Sequence, residues 1–385
     1  MTDSLARAEA HSAELYVIRE RIHRHPEIGN REYETAALVE KTLARLGIVT
    51  RRVTETGIVG TLRGDFPGPV IALRADMDAL PVTEQSGAPY ASEIPGMMHA
   101  CGHDVHTAGL LGAAMILSEK RSELHGEVRF LFEPDEEGSG GAQRMIRAGC
   151  MEGVSAVFGA HTAPDLPEGT IGVRYGKFYA ASDMFTVIMH GRSAHGAQPE
   201  KGIDALGAAA AAVAGLRGLP ARTISDPAVL SVGTFQAGTA GNIIADTAAF
   251  SGIMRTLGPS DRAALKQAFR DTVMQSAALY GAEAEIRIRE SYAGVVNSEA
   301  ETRAVQDTAE ALFGKERVRV IGQPLMTTED FGYFIDEAKG SFYHIGAGCS
   351  APLHNPAYLP VPFTIIRLAA LHADIIGHYL IQKAV

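Results

Sequence analysis

The chain has 385 residues, 46% of them hydrophobic and 21% charged, with a formal net charge of −10. This length predicts two domains with room for a sizeable core, and the composition is that of a globular enzyme. The acidic balance and the lack of a Lys/Arg block argue against a nucleic-acid or anionic-membrane partner, and no apolar run approaches the roughly 20 residues of a membrane span. In chain order, residues 4–25 read as a helix stopped by Pro26, and Tyr33 to Leu46 as an amphipathic helix closed by Gly47. Strands follow at 60–63 and 70–74. The second is mostly apolar, as expected of a strand covered on both faces, and it runs into Asp76-Met77-Asp78. Carboxylates at the end of a central strand stand where open α/β sheets place their sites.

The stretch from Gly96 to His106 comes next and leads into an apolar helical run, Ala108 to Leu117. A buried strand at 128–132 ends in Glu133-Pro134-Asp135-Glu136-Glu137-Gly138, followed by a Gly/Ser loop and a helix to about Ala148. A strand at 154–158 ends at Gly159-Ala160-His161. The pattern changes near Ala181: strand 184–190, helix 204–216, strands 229–235 and 248–255, helix 261–280, strand 284–289. This β-α-β-β-α-β order predicts a ferredoxin-like unit of about 110 residues. It is read as a domain over 181–292, inserted into an α/β domain formed by 1–180 and 293–385. The first domain resumes with a helix over 299–313, a strand near 318–321, a strand at 342–346, the loop around His354 and a helix from about Thr364. The three cysteines, Cys101, Cys150 and Cys349, make no disulfide framework and fit a reducing compartment. The polar start of the chain has no secretory h-region, so the expected location is the cytoplasm.

Several residues can carry chemistry. A thiolate and an imidazole at the spacing of Cys101 and His103 can grip one metal ion or two adjacent ones; the alternative is a structural cysteine beside a helix-capping Asp104. Glu136 and Glu137 point in different directions, so one can bind a metal while the other moves a proton between water and a leaving amine; the alternative is a solvated acidic turn. His161 and His354 are each ordinary alone. With Cys101, His103 and Glu137 they make five donors, which suit two ions with a bridging group better than one tetrahedral ion. His195, in Gly191-Arg192-Ser193-Ala194-His195-Gly196, can donate to a developing oxyanion or be a turn histidine. Arg255, near Asn242 in the inserted domain's strands, can bind a carboxylate in bidentate fashion or form a surface ion pair.

The motif set Arg74-Ala75-Asp76-Met77-Asp78-Ala79-Leu80-Pro81, His99-Ala100-Cys101-Gly102-His103-Asp104, Glu136-Glu137-Gly138, Gly159-Ala160-His161 and Leu353-His354-Asn355-Pro356 resembles the M20 metallopeptidase family. Within it, the set is most similar to the amidohydrolase branch of hippurate hydrolases, N-acyl-amino-acid deacylases and auxin-conjugate hydrolases. The resemblance implies a catalytic α/β domain, its mixed central sheet flanked by helices and carrying two divalent metals, with an inserted lid domain that often forms a homodimer. It implies Cys101 as the bridge, His103 and His161 completing one metal site, and Glu137 and His354 the other. Glu136 would be base and then acid, Asp78 would orient a ligand imidazole, and His195 would reach the oxyanion, often in a neighbouring subunit. Asn242 and Arg255 would hold the substrate's carboxylate, and Asp104 and Asp330 would support the ligands. Zinc, manganese, nickel and cobalt all suit such donors. The stretch Asn355 to Pro362 lacks the acidic residues common in the family, and Ser193 to Pro199 departs slightly from the usual lid motif. The implied reaction is hydrolysis of an N-acyl amino acid, hippurate-like or N-acetylated, to a carboxylic acid and a free amino acid. The alternatives are a dipeptidase or aminopeptidase on the same scaffold, a metal-free cysteine hydrolase using Cys101 and His103, and a non-catalytic binding protein.

Overall fold

The apolar run beginning at Val70 is the inner part of a longer strand, Phe66–Asp76, whose last six residues are buried. It lies within an eight-stranded mixed sheet. The order across that sheet is Val49–Arg52, Ile58–Arg63, His125–Glu133, Phe66–Asp76, Val154–Ala163, Lys339–Gly346, Ile171–Val173 and Val318–Val320. The four strands in the middle run parallel. A strand covered on both faces carries few polar side chains until it ends, and the buried Asp76, Glu133, His161 and His344 lie toward the carboxyl ends of the four parallel strands.

The computed structural model describes residues Asp3–Ile381, which divide into two units. The first takes the chain up to Gly176, Val296–Gly322 and the residues from Asp330 on; the second takes Lys177–Val295 and Gln323–Glu329. In the first, helices His103–Glu119 and Phe363–Leu380 pack on each other and on the central strands, and helix Glu299–Phe313 lies against Lys339–Gly346. The first fifteen residues of helix His103–Glu119 are all buried, as expected of a helix apolar all round. It starts five residues before the apolar run, at His103, because Gly102 takes φ +87° and turns the chain into it. The helix expected over 4–25 is two helices, Asp3–Ala10 and Ser12–Arg24, separated at His11, whose ring turns to Glu119. The short strands Val49–Arg52 and Ile171–Val173 were not legible, having too few residues to show a period.

The second unit holds a four-stranded antiparallel sheet in the order Val229–Ala237, Thr247–Thr256, Ala181–His190, Glu283–Glu290. Helices Ala205–Leu216 and Pro259–Tyr280 pack against it around Phe185, Val187, Phe250 and Phe269. Asp204 caps the first by accepting from Gly207 N at 2.9 Å. The chain order of these six elements is the β-α-β-β-α-β read from the sequence, with the short pair Ala194–His195 and Ile243–Ile244 and the helix Leu219–Thr223 added. No helix among the described residues is long and apolar enough to cross a membrane.

The close crossing of the two buried helices makes a prediction. A Cβ on Gly109 would stand 2.6 Å from Leu368 Cδ2. Gly109→Val should therefore lower the unfolding free energy by about 1–3 kcal/mol through overpacking, measured by urea denaturation.

Candidate functional site

The carboxyl ends of the four parallel strands lie side by side, with Asp76 opposite Glu133 and His161 opposite His344. Such an edge is where α/β sheets offer side chains to a ligand. The chain leaving Phe66–Asp76 carries Asp78, that leaving His125–Glu133 carries Glu136 and Glu137, the end of Val154–Ala163 carries His161, and the loop after Lys339–Gly346 carries His354. Cys101 and His103 enter from the Gly102 turn. A Cβ at Gly102 would lie 2.5 Å from Thr162 Oγ1, so both the φ and the space call for glycine.

These residues meet. The donor atoms of Cys101, His103 and His161 lie within 4.8 Å of one another, and so do those of Cys101, Glu137 and His354. Cys101 is thus common to two groups of three. Its Sγ is 3.3 Å from His161 Nε2, and His354 Nε2 is 3.0 Å from Glu137 Oε1. The donors of His103, Glu136 and Glu137 form a third such group. Asp78 holds two of the partners at once: its Oδ1 accepts from His103 Nδ1 at 3.1 Å and its Oδ2 from Glu137 N at 3.0 Å. His161 donates Nδ1–H to Thr162 O at 2.8 Å. Both imidazoles therefore turn Nε2 to the side of Cys101. His103 Nε2 is buried with no hydrogen-bond partner, an arrangement that costs about 1–3 kcal/mol unless something fills it. Glu136 Oε1 accepts from Asp330 N at 3.4 Å. Asp104 faces away, taking Arg19 Nε and His23 Nδ1 at 2.9 Å each.

Backbone strain accompanies the geometry. Asp135 and His354 are non-glycine residues with φ of +60° and +63°. Asp135 is held there by Asn30 Nδ2 at 2.6 Å, Ser139 N at 3.1 Å and Arg144 Nη2 at 3.1 Å, while its own N–H donates to Glu32 Oε1 at 2.9 Å. The turn so fixed aims the two glutamates that follow.

The electrostatics divide the donors into two kinds. Burial, together with the Glu137 and Glu136 carboxylates, pushes the Cys101 thiol well above its usual range. Burial and the neighbouring His106 hold His161 well below its own. A cysteine hydrolase using Cys101 and His103 needs a thiolate, and a thiol pushed upward in this way counts against that alternative. Burial opposes charge on His103, but Asp76 and Asp78 outweigh it and carry the group up to about 10. The bond to Glu137 raises His354. Burial works against the Glu137 carboxylate, but His354 and His103 keep it below the usual range.

Residues that sequence reasoning passed over complete the site. His106 donates Nδ1–H to Asp76 Oδ1 at 2.6 Å and accepts from Thr162 N at 2.9 Å. The Thr162 hydroxyl accepts from Tyr358 at 2.9 Å and donates to Cys101 O at 3.2 Å, so one side chain ties three loops together. His106 was findable: it stands three residues after His103 on the same helix and so on the same face. Tyr358 and Thr162 carried no signal of their own.

In the second unit, His195 and Asn242 are exposed neighbours on a two-stranded ribbon, with Gly196 N donating to Asn242 O at 2.7 Å and Ala197 N to His195 Nδ1 at 3.1 Å. Arg255 is not with them. It stands opposite Ser182, whereas the ribbon joins the sheet at the other end, where Thr247 is opposite His190. Burial lowers the Arg255 guanidinium somewhat.

With this geometry in hand, comparison with known proteins is specific. The model of Peptidase family M20/M25/M40 matches residues 72–377. An N-acetyl-L-cysteine deacetylase of Bacillus subtilis is 38% identical over 96% of this chain and 87% of that protein. Thermostable carboxypeptidase 2 of Saccharolobus solfataricus is 37% identical over 92% of each. Among solved structures, the YXEP protein of Bacillus subtilis, described as a dinuclear metal binding peptidase from the M20 family, superposes with a TM-score of 0.87 at 35% identity over 97% of this chain and 99% of that one.

Two measurements test these electrostatics. In metal-free protein, alkylation of Cys101 by iodoacetamide should show no thiolate inflection below pH 9; an inflection near neutrality would mean that the thiol is activated. His23 is the second probe. Burial opposes its charge, but Asp104 and Glu84 carry it from an ordinary 6.5 up to about 9. A group raised on folding stabilises fully below its unfolded value and loses that stabilisation as the pH climbs through its folded one. Urea denaturation should therefore show stability falling between about pH 6.5 and 9, and His23→Gln should flatten that fall.

Proposed function

The chain belongs to peptidase family M20/M25/M40, and from that premise we propose that it is a binuclear metal-dependent amidohydrolase that cleaves an N-acyl amino acid into a carboxylic acid and a free amino acid. The observation that carries the reading is the position of Cys101, within donor reach of both His103 with His161 and Glu137 with His354. In this proposal Cys101, His103 and His161 would hold one ion, and Cys101, Glu137 and His354 would hold the other. Two divalent ions held there would supply a polarised amide carbonyl and a water of lowered pKa. The residues suit such ions: His103 Nε2 is buried and unpartnered, and the Cys101 thiol is one that only a cation would deprotonate. Zinc, manganese, nickel and cobalt all accept this donor set.

The chain's own residues do the rest. Glu136 takes a proton from the attacking water as the water oxygen bonds to the amide carbon. It returns that proton to the nitrogen as the C–N bond breaks. Asp78 accepts from His103 Nδ1–H and so orients the ring with Nε2 toward the site. His195 is assigned to the oxyanion, and Asn242 and Arg255 to the substrate carboxylate. Residues 181–292 are proposed as a ferredoxin-like lid that also forms a homodimer or larger assembly. The antiparallel sheet with two helices packed on it supports that assignment. The buried free thiols of Cys101 and Cys150 support placement in the cytoplasm.

The similarity to a carboxypeptidase favours a second reading, in which the amide cleaved is a peptide bond. Rates on acetyl- and benzoyl-amino acids against rates on free dipeptides separate the two, and the first reading expects the acylated substrates to win. Glu136→Gln should lower kcat by about 10²- to 10⁴-fold while the metal content, measured by elemental analysis, is unchanged. Full turnover in that variant would overturn the proposal.

A further inference from the structure

Arg74 is a fully buried guanidinium, 1% exposed, with three carboxylates on it. Its Nε donates to Glu133 Oε2 at 2.5 Å, its Nη1 to Asp76 Oδ2 at 2.8 Å and its Nη2 to Asp330 Oδ1 at 3.0 Å. All three acids are themselves inaccessible. The ring of Phe331 lies 6.0 Å from the guanidinium carbon. Gly159, opposite Arg74 in the sheet, makes room for that ring, since a Cβ there would stand 2.6 Å from Phe331 Cε2. So much buried charge is costly and needs a purpose beyond stability.

The purpose is visible at Asp330. Its second oxygen, Oδ2, accepts from Ala142 N at 3.1 Å, so the side chain is held from two sides. That fixes the residue's own main-chain N–H, which meets Glu136 Oε1 at 3.4 Å. We propose that Arg74 and Asp330 are positioning residues for Glu136: the guanidinium anchors the Asp330 side chain, and the anchored main-chain N–H holds one oxygen of the Glu136 carboxylate so that the other faces the reacting atoms. Neither residue touches the substrate. Burial pushes both Glu133 and Asp330 above the usual carboxylate range, against the pull of Arg74.

The inference rests on Glu136 being the proton carrier, and a double-mutant cycle in the metal-loaded enzyme separates the two claims. Asparagine at 330 must turn an NH₂ toward either Ala142 N–H or Arg74, so one anchor is lost whichever way it sits. Asp330→Asn should lower kcat by about 10²-fold through misplacement. KM and metal content should hold, and the acidic limb of the kcat–pH profile should move. In a Glu136→Gln background the same substitution should cost less than about threefold, because the group it serves is gone. Arg74→Lys, which keeps the charge but loses the fork, should behave alike and carries the test if Asp330→Asn fails to fold. An unchanged kcat, a full loss persisting in the Glu136→Gln background, or loss of bound metal would overturn the inference. A fully active Glu136→Gln enzyme would instead overturn the function proposed for the site.

Discussion

Buried negative charge is the constraint to which the rest of the first unit answers. Asp76, Asp78, Glu133, Glu136 and Asp330 are all inaccessible or nearly so, and Glu137 is largely covered. A carboxylate in such a place needs a cation or several hydrogen-bond donors. The inner layer is met by Arg74. The outer layer is met by imidazoles: His106 for Asp76, His103 for Asp78, His354 for Glu137. What this pairing leaves over is a thiol kept protonated by the surrounding acids and a buried Nε2 with no partner. Clustered carboxylates, a soft sulfur and an unpartnered imidazole nitrogen suit imported positive charge. That is the physical content of the two-metal proposal.

The sheet makes the surplus possible. Parallel strands bring their ends into one row, so residues 78, 137, 161 and 354 become neighbours although the chain between them is long. Side chains at a strand end also escape the apolar packing that fills the strand's interior. The fine aiming is then done by backbone in the left-handed region, at Gly102, Asp135 and His354. Non-glycine residues there cost of order 1–3 kcal/mol each. At Asp135 the five hydrogen bonds to its side chain and N–H offset that cost. Stability has been traded for direction at the positions that face the reaction.

Much of this was legible in the sequence, and the part that was not has a physical reason. Buried parallel strands announce themselves as short apolar runs followed by polar residues, which is why Val70 to Arg74 and Val128 to Phe132 pointed to the acids beyond them. The five candidate donors, ordinary one by one, could be named because they recur together at strand ends and loops in a motif set that resembles a known family. Arg74 and Thr162 could not be weighed in the same way. Their roles depend on partners distant in sequence, Asp330 for one and Tyr358 for the other, and no local period encodes such a pairing. The break at His11 escaped for a related cause, since its ring turns to Glu119, over a hundred residues away.

The second unit adds a geometric argument about how a substrate can be held. His195 and Asn242 share a ribbon that meets its sheet where Thr247 faces His190, while Arg255 faces Ser182 at the far end of the same strand. Thr247 and Arg255 are eight residues apart, or roughly 27 Å along an extended chain. An N-acyl amino acid is much shorter than that. Along the strand alone, then, the attachment of the ribbon and Arg255 stand farther apart than such a substrate is long.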